Sequence, residues 1–282
     1  MKTKLFDIIR KLLIQFILII YSITILINIA VVIITPFRNA KDIARGILTI
    51  PNSFTFNNFI SIFASGGLIG IKNSLIYGII TSIIAIIIGG IASYAFAFIK
   101  FRFKGLLYNL IFICMFIPIL LALIPLFLQF GKLHLVSTSL GVILIYIGIR
   151  LPFTIFLFRN FFMEFPMSIF DAAKIDGASD IGIFLRIVMP LSKAVIATVA
   201  LFNFAAIWAE YLIALIFLQK TSSQSIMLKA INVFAASATS MMNVSPLGVG
   251  YAGLFIVTVP LIVIFFFTRK YYIEGLTLGS IK

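Results

Sequence analysis

Four of the chain's eight acids, Glu164, Asp171, Asp176 and Asp180, fall in one polar stretch that reads Glu164-Phe-Pro166-Met-Ser168-Ile-Phe-Asp171-Ala172-Ala173-Lys-Ile-Asp176-Gly177-Ala-Ser179-Asp180. Pro166 cannot continue an upstream helix. Ser168 is therefore expected to cap a new one, with Asp171 returning a hydrogen bond and placing its charge at the positive helix end. Gly177 can take the left-handed conformation that closes a helix, and Ser179 can cap the next. A short helix ending near Asp176 puts Ile169, Ala172, Ala173 and Asp176 at i, i+3, i+4 and i+7, a stripe whose alanines leave room for another surface. Two readings stand: an amphipathic helix lying on a membrane face, or a knob for a socket on a cytoplasmic subunit.

Other chemistry is thin. Phosphate binding by a Gly-x-x-x-x-Gly-Lys-Ser/Thr loop has no match, so no cofactor is expected in this chain and any ATP must be bound by another polypeptide. Intramembrane proteolysis would need paired acids or a Ser/His arrangement within apolar spans, and neither is present. Cys114 is the single cysteine and His134 the single histidine, which leaves no disulfide framework and no metal site. Neither catalytic nor metal-ligating residues are assigned, and the chain is expected not to be an enzyme. Arg150, in mid-span, would cost about 2.5–3.5 kcal/mol at a bilayer centre, so it should face a polar cavity, a partner or an interface, unless the span is shifted and it snorkels to the headgroups. Asn203 and Glu210 are seven apart and share a helical face. With Trp208 they are candidates for a translocation pathway, packing or interface anchoring being the alternative.

The elements that must position these residues follow from composition. Of 282 residues 62% are hydrophobic and 11% charged, with a mean hydropathy of +1.23, too little polar surface to cover a water-soluble globule of 31.3 kDa. A net charge of +14 in a soluble domain would suggest nucleic acid, but here the cations flank apolar runs, as in a membrane protein. At about 20 residues per crossing, six spans emerge, near residues 12–35, 74–99, 106–130, 138–158, 194–218 and 247–268. The first is too long for a secretory signal and lacks a cleavage site, so it reads as an uncleaved helix. Fourteen Lys and Arg then lie on the side of the amino terminus and seven on the other, which predicts both termini inside. In the second span Gly78, Ser82, Gly89, Ser93 and Ala97 allow close helix packing. The expected architecture is an all-α, polytopic helical bundle forming a single domain over 1–282.

Asp171-Ala-Ala-Lys-Ile-Asp-Gly-Ala-Ser179, followed by Pro190, resembles the loop of ATP-binding-cassette importer permeases that usually begins Glu-Ala-Ala. Lys72-Asn-Ser-Leu, Tyr94-Ala-Phe-Ala-Phe, Ile117-Pro118, Ile124-Pro125-Leu126 and the tail Glu274-Gly-Leu-Thr-Leu-Gly279-Ser-Ile-Lys282 extend the likeness to the smaller permease of maltose-type sugar importers. The resemblance implies a MetI-like, type I permease core in the cell membrane. It also implies a second homologous permease, two ATP-binding subunits, an extracellular solute-binding protein and surrounding lipid, with no nucleic acid. The loop, about 164–190, would be a coupling helix, with Asp171, Ala172, Ala173, Asp176 and Gly177 meeting the ATP-binding subunit. The cargo implied is a sugar, such as an oligosaccharide or a glycerol-phosphate-like solute. Ala209 stands where relatives commonly carry Asn between Trp and the acid, which weakens a ligand role there. The alternatives are a secondary transporter or channel subunit, or an importer permease for a non-sugar solute.

Overall fold

The computed structural model describes residues 2–46, 49, 51–239 and 245–277. All of its regular elements in that range are helices, in the order α1 (Lys2–Ile34), α2 (Ala40–Ala44), α3 (Asn57–Ala64), α4 (Gly67–Phe98), α5 (Lys104–Cys114), α6 (Ile119–Lys132), α7 (Ser139–Phe162), α8 (Met167–Ile175), α9 (Asp180–Ile183), α10 (Met189–Leu191), α11 (Lys193–Trp208), α12 (Leu212–Phe217), α13 (Ile226–Thr239) and α14 (Ser245–Thr277). Four segments are long and apolar enough to cross a membrane: Ile9–Phe37, Gly67–Phe98, Ser139–Phe162 and Leu247–Phe266. Two bent pairs bring the total to six if each is one span, α5 with α6 at 94° and Asp180–Leu191 with α11 at 78°.

The first bend is a departure from the straight span expected over 106–130. Between α5 and α6, Pro118 has no N–H to give and sits extended at φ −62°, ψ 123°, so the third crossing turns there. Pro125, by contrast, lies inside α6. The fifth apolar run, 194–218, is likewise not one helix: α11 ends at Trp208 and α12 restarts at Leu212. The carboxyl-terminal motif begins within α14, but its end, 278–282, lies outside the described residues.

The chain divides into two compact units, residues 1–67 with 229–256, and 68–228 with 257–282. In the first, the polar segment after α1 is organised around Arg38, which is fully buried. Its guanidinium donates to the carbonyls of Asp42 and Gly46 at 2.7 and 2.8 Å and to the Thr49 hydroxyl. Asn58 of α3 donates to the carbonyls of Pro36 and Arg38. The connection between the first two expected spans is thus a folded element with its own polar core.

The second unit holds two apolar clusters. One gathers Tyr77, Val142, Ile145, Tyr146, Ile207, Ile213 and Phe217 from α4, α7, α11 and α12. The other gathers Tyr94, Phe158, Phe162, Phe170, Ile183 and Val195 around the end of α7 and the segment that follows it. The small residues of α4 serve this packing. A Cβ at Gly89 would lie 2.5 Å from Thr154 Cγ2 of α7, and Ser93 donates to the Ile155 carbonyl at 3.0 Å. Glycine and serine there let two helix backbones approach as closely as membrane bundles require.

Candidate functional site

The acidic stretch forms the predicted short helix, with one change at its start. α8 begins at Met167 behind Pro166, whose φ of −62° and ψ of 127° already give the extended entry, and no side chain caps it. Ser168 therefore lies inside the first turn rather than at the cap. The other end follows the sequence closely. Gly177 adopts φ +77°, Gly177 N–H donates to the Lys174 carbonyl at 3.0 Å, and Ala178 N–H to the Ala173 carbonyl at 2.9 Å. That pair of bonds is a Schellman closure, which satisfies carbonyls a helix end would otherwise leave bare. Ser179 then caps α9 by accepting from Gly182 N–H at 3.2 Å.

The two faces of α8 differ sharply. Phe170 is buried and its ring lies 3.9 Å from that of Phe98, while Ala173 is buried beside it. Ala173 is thus turned toward the chain's own bundle, and the stripe expected to present both alanines outward is split. The reason is Phe170: its large apolar ring fixes which face of the helix is covered, and Ala173, three residues on, shares that face. Asp171, Ala172, Asp176 and Gly177 are exposed. So is Ile175, at 86% the most exposed large apolar side chain among the described residues, an unusual place for an isoleucine on a polar loop. Beyond the corner, Asp180 accepts from Tyr94 OH at 3.4 Å and pairs with Lys174 at 3.9 Å, which ties α9 to α4 and α8.

A second group of polar side chains lies within the apolar helices. Asn203 of α11 is fully buried, accepts from Arg150 Nε at 2.9 Å and donates to Thr154 Oγ1 at 2.9 Å. Trp208, also buried, donates to the Val257 carbonyl of α14 at 2.9 Å and stacks on Phe204 at 5.6 Å. Glu210 stands in the gap between α11 and α12. Its carboxylate accepts from the N–H groups of Ile213 and Ala214, at 2.7 and 3.0 Å, and from Tyr146 OH at 2.8 Å. The helical face that Asn203 and Glu210 were expected to share does not exist, because the helix stops at Trp208 before it reaches Glu210. The carboxylate instead supplies the acceptors that the first amides of α12 lack.

Tyr146 and Thr154 were not singled out from the sequence. The signal was present: Tyr146, Arg150 and Thr154 recur at i, i+4 and i+8 on α7, one polar row on an otherwise apolar helix. His134 occupies the turn between α6 and α7 with φ +54°, and Cys114 ends α5, exposed. No group of three or more metal-ligating side chains occurs among the described residues.

A family model described as binding-protein-dependent transport system inner membrane component matches residues 85–272, a range that includes the α8 corner and the polar row. The chain belongs to that family. Among its relatives is the arabinooligosaccharides transport system permease protein AraQ of Halalkalibacterium halodurans, 30% identical over 259 residues, which are 89% of this chain and 88% of that one. The diacetylchitobiose uptake system permease protein NgcG of Streptomyces coelicolor is 26% identical over 94% of this chain and 87% of its own. A solved structure of a bacterial ABC transporter involved in the import of the acidic polysaccharide alginate contains a chain that superposes with a TM-score of 0.78. It covers 94% of this chain and 97% of that one at 22% identity, which establishes the shared fold. The protein is accordingly a multi-pass membrane permease of an ABC importer, a system that works with a separate binding protein and ATP-binding subunits.

Proposed function

We propose that this permease forms half of the translocation pathway of an ATP-driven sugar importer, and that α8 with its Gly177 corner is the coupling element. In this reading the chain pairs with a second, related permease, two ATP-binding subunits sit on the cytoplasmic side, and a solute-binding protein meets the outer face. Both termini are cytoplasmic and the chain itself carries no enzymatic activity. The relatives named for arabinooligosaccharide and diacetylchitobiose transport support sugar as the cargo class.

The observation that carries the coupling role is the division of α8 into a face anchored by Phe170 and Ala173 and a face that leaves Asp171, Ala172, Ile175, Asp176 and Gly177 exposed. An anchored helix transmits displacement, and an exposed apolar residue gives a partner something to grip. Closure of the ATP-binding pair can bias the membrane states only through an element it binds differently in each. Ala173 then contributes by letting α8 sit close to the bundle, while the other four predicted residues meet the partner. Asn203, Trp208 and Glu210 support the walls of the pathway from behind, a role supported by the burial of Asn203 and Trp208 and by the fixed partners of all three.

The test uses the whole importer in proteoliposomes. A φ of +77° is open to glycine and tolerable for asparagine, but strained for a β-branched residue. Gly177→Val should insert and assemble yet lose uptake at least tenfold while ATP hydrolysis continues, and Gly177→Asn should retain most uptake. Full uptake by Gly177→Val would remove the corner from the coupling path.

A further inference from the structure

Arg150 stands at the middle of α7, the twelfth of 24 residues, half-buried in a span that is otherwise nearly free of charge. Its surroundings form a brace. Nε donates to Asn203 Oδ1, Asn203 is held in turn by Thr154, and both of those side chains are fully buried. The guanidinium lies over the ring of Phe153 at 5.0 Å, and Phe153 meets Phe202 edge-on at 5.7 Å. What Arg150 lacks, among the described residues, is a counter-charge. The ion pairs of the described residues are Arg45 with Asp42 and Lys174 with Asp180, and the one acid in the neighbouring apolar sequence, Glu210, is committed to Tyr146 and the start of α12. Both terminal nitrogens of Arg150 are left without an acceptor among the described residues.

A cation in the middle of an apolar helix is offset by water in a cavity or by a charge from outside the chain, and only such a charge holds both terminal nitrogens in a fixed geometry. The choice lies between a carboxylate of the second permease and the cargo. The arrangement favours the cargo. A lone interface ion pair requires a charge and nothing more, whereas here a planar fork is fixed in orientation beside an apolar ring. That is the combination that receives a carboxylate or phosphate in two parallel hydrogen bonds while the C–H face of a sugar packs alongside.

We infer that Arg150 binds an oxyanion group on the transported sugar, so that the importer's cargo is an acidic sugar and Arg150 determines that specificity. Asn203 and Thr154 are positioning residues for it. The inference rests on the importer reading given above and narrows its substrate class.

The test uses the complete importer, with its second permease, ATP-binding subunits and binding protein, and three probes: maltotriose, trigalacturonate and glycerol 3-phosphate. The binding protein should be thermally stabilised by one of the two acids, which also distinguishes carboxylate from phosphate. Uptake of that acid should fall at least tenfold in Arg150→Gln, chiefly through a raised KM, and recover in part in Arg150→Lys. In a Cys114→Ser background, Arg150→Cys should react with an anionic methanethiosulfonate reagent and be protected by the acid. Selection of maltotriose by the binding protein, with Arg150→Gln transporting it as wild type does, would overturn the inference. So would an Arg150→Cys thiol unreactive in every nucleotide state, or loss of complex assembly in Arg150→Gln that is restored by neutralising an acid on the second permease. Failure of the importer reading looks different: wild type would then take up none of the three probes in an ATP-dependent way, which would sink both.

Discussion

The protein interrupts its helices at two polar points by opposite means. At the α8 corner the break is local: Gly177 supplies the left-handed backbone, the bonds from Gly177 and Ala178 close the helix just passed, and Ser179 opens the next. Every group involved lies within ten residues of sequence and most are exposed. Between α11 and α12 the break is tertiary: Glu210 caps the new helix but also takes the hydroxyl of Tyr146, sixty-four residues earlier. A turn at a watery surface can rely on solvent for its leftover polar groups. One inside an apolar bundle must find every partner in protein, so its chemistry is drawn from more than one helix.

Substitutions can break or sharpen that contrast, with thermal unfolding of the purified protein as the readout. The largest effect is expected for Glu210→Ala, which strips acceptors from two amides and from Tyr146 OH, at about 3 kcal/mol. Gly177→Val should cost about 2 kcal/mol through backbone strain alone, since a Cβ there meets no atom within 4 Å. If it proves costlier than Glu210→Ala, the claim that the buried break is the more demanding one fails. Tyr146→Phe leaves the α12 cap intact and should cost about 1 kcal/mol, so a loss equal to that of Glu210→Ala would make the long-range bond, not the cap, the source of stability. Smallest is Gly177→Asn, expected within a few tenths of a kcal/mol because asparagine tolerates the left-handed region. A drop comparable to that of Gly177→Val would show that the corner depends on glycine's size rather than its conformation.

The same division explains which features could be read from the chain of letters. The short helix, its end at Asp176 and the cap at Ser179 were legible because each depends on residues a few positions apart. Its start was misplaced by two residues for a local reason as well: Pro166 already provides the entry that Ser168 was expected to shape. Which face of α8 is covered was not legible, since Phe170 is turned inward by Phe98, which lies on a different helix. The folded core around Arg38 was missed for a similar reason, its acceptors being mostly backbone carbonyls that carry no sequence signature.

Hydropathy and charge by themselves determined that this is a helical membrane protein, because transfer of apolar side chains to lipid depends on composition and length and hardly on neighbours. The wording around Asp171 and Gly177 determined where the polar corner falls. Only the tertiary structure decided that the fifth apolar run is two helices, that Asn203 is spent holding Arg150, and that the terminal nitrogens of Arg150 meet no acceptor among the described residues. A hydrogen bond in an apolar interior is as strong as the partner that happens to lie opposite, and that is a property of the packed helices rather than of any one of them.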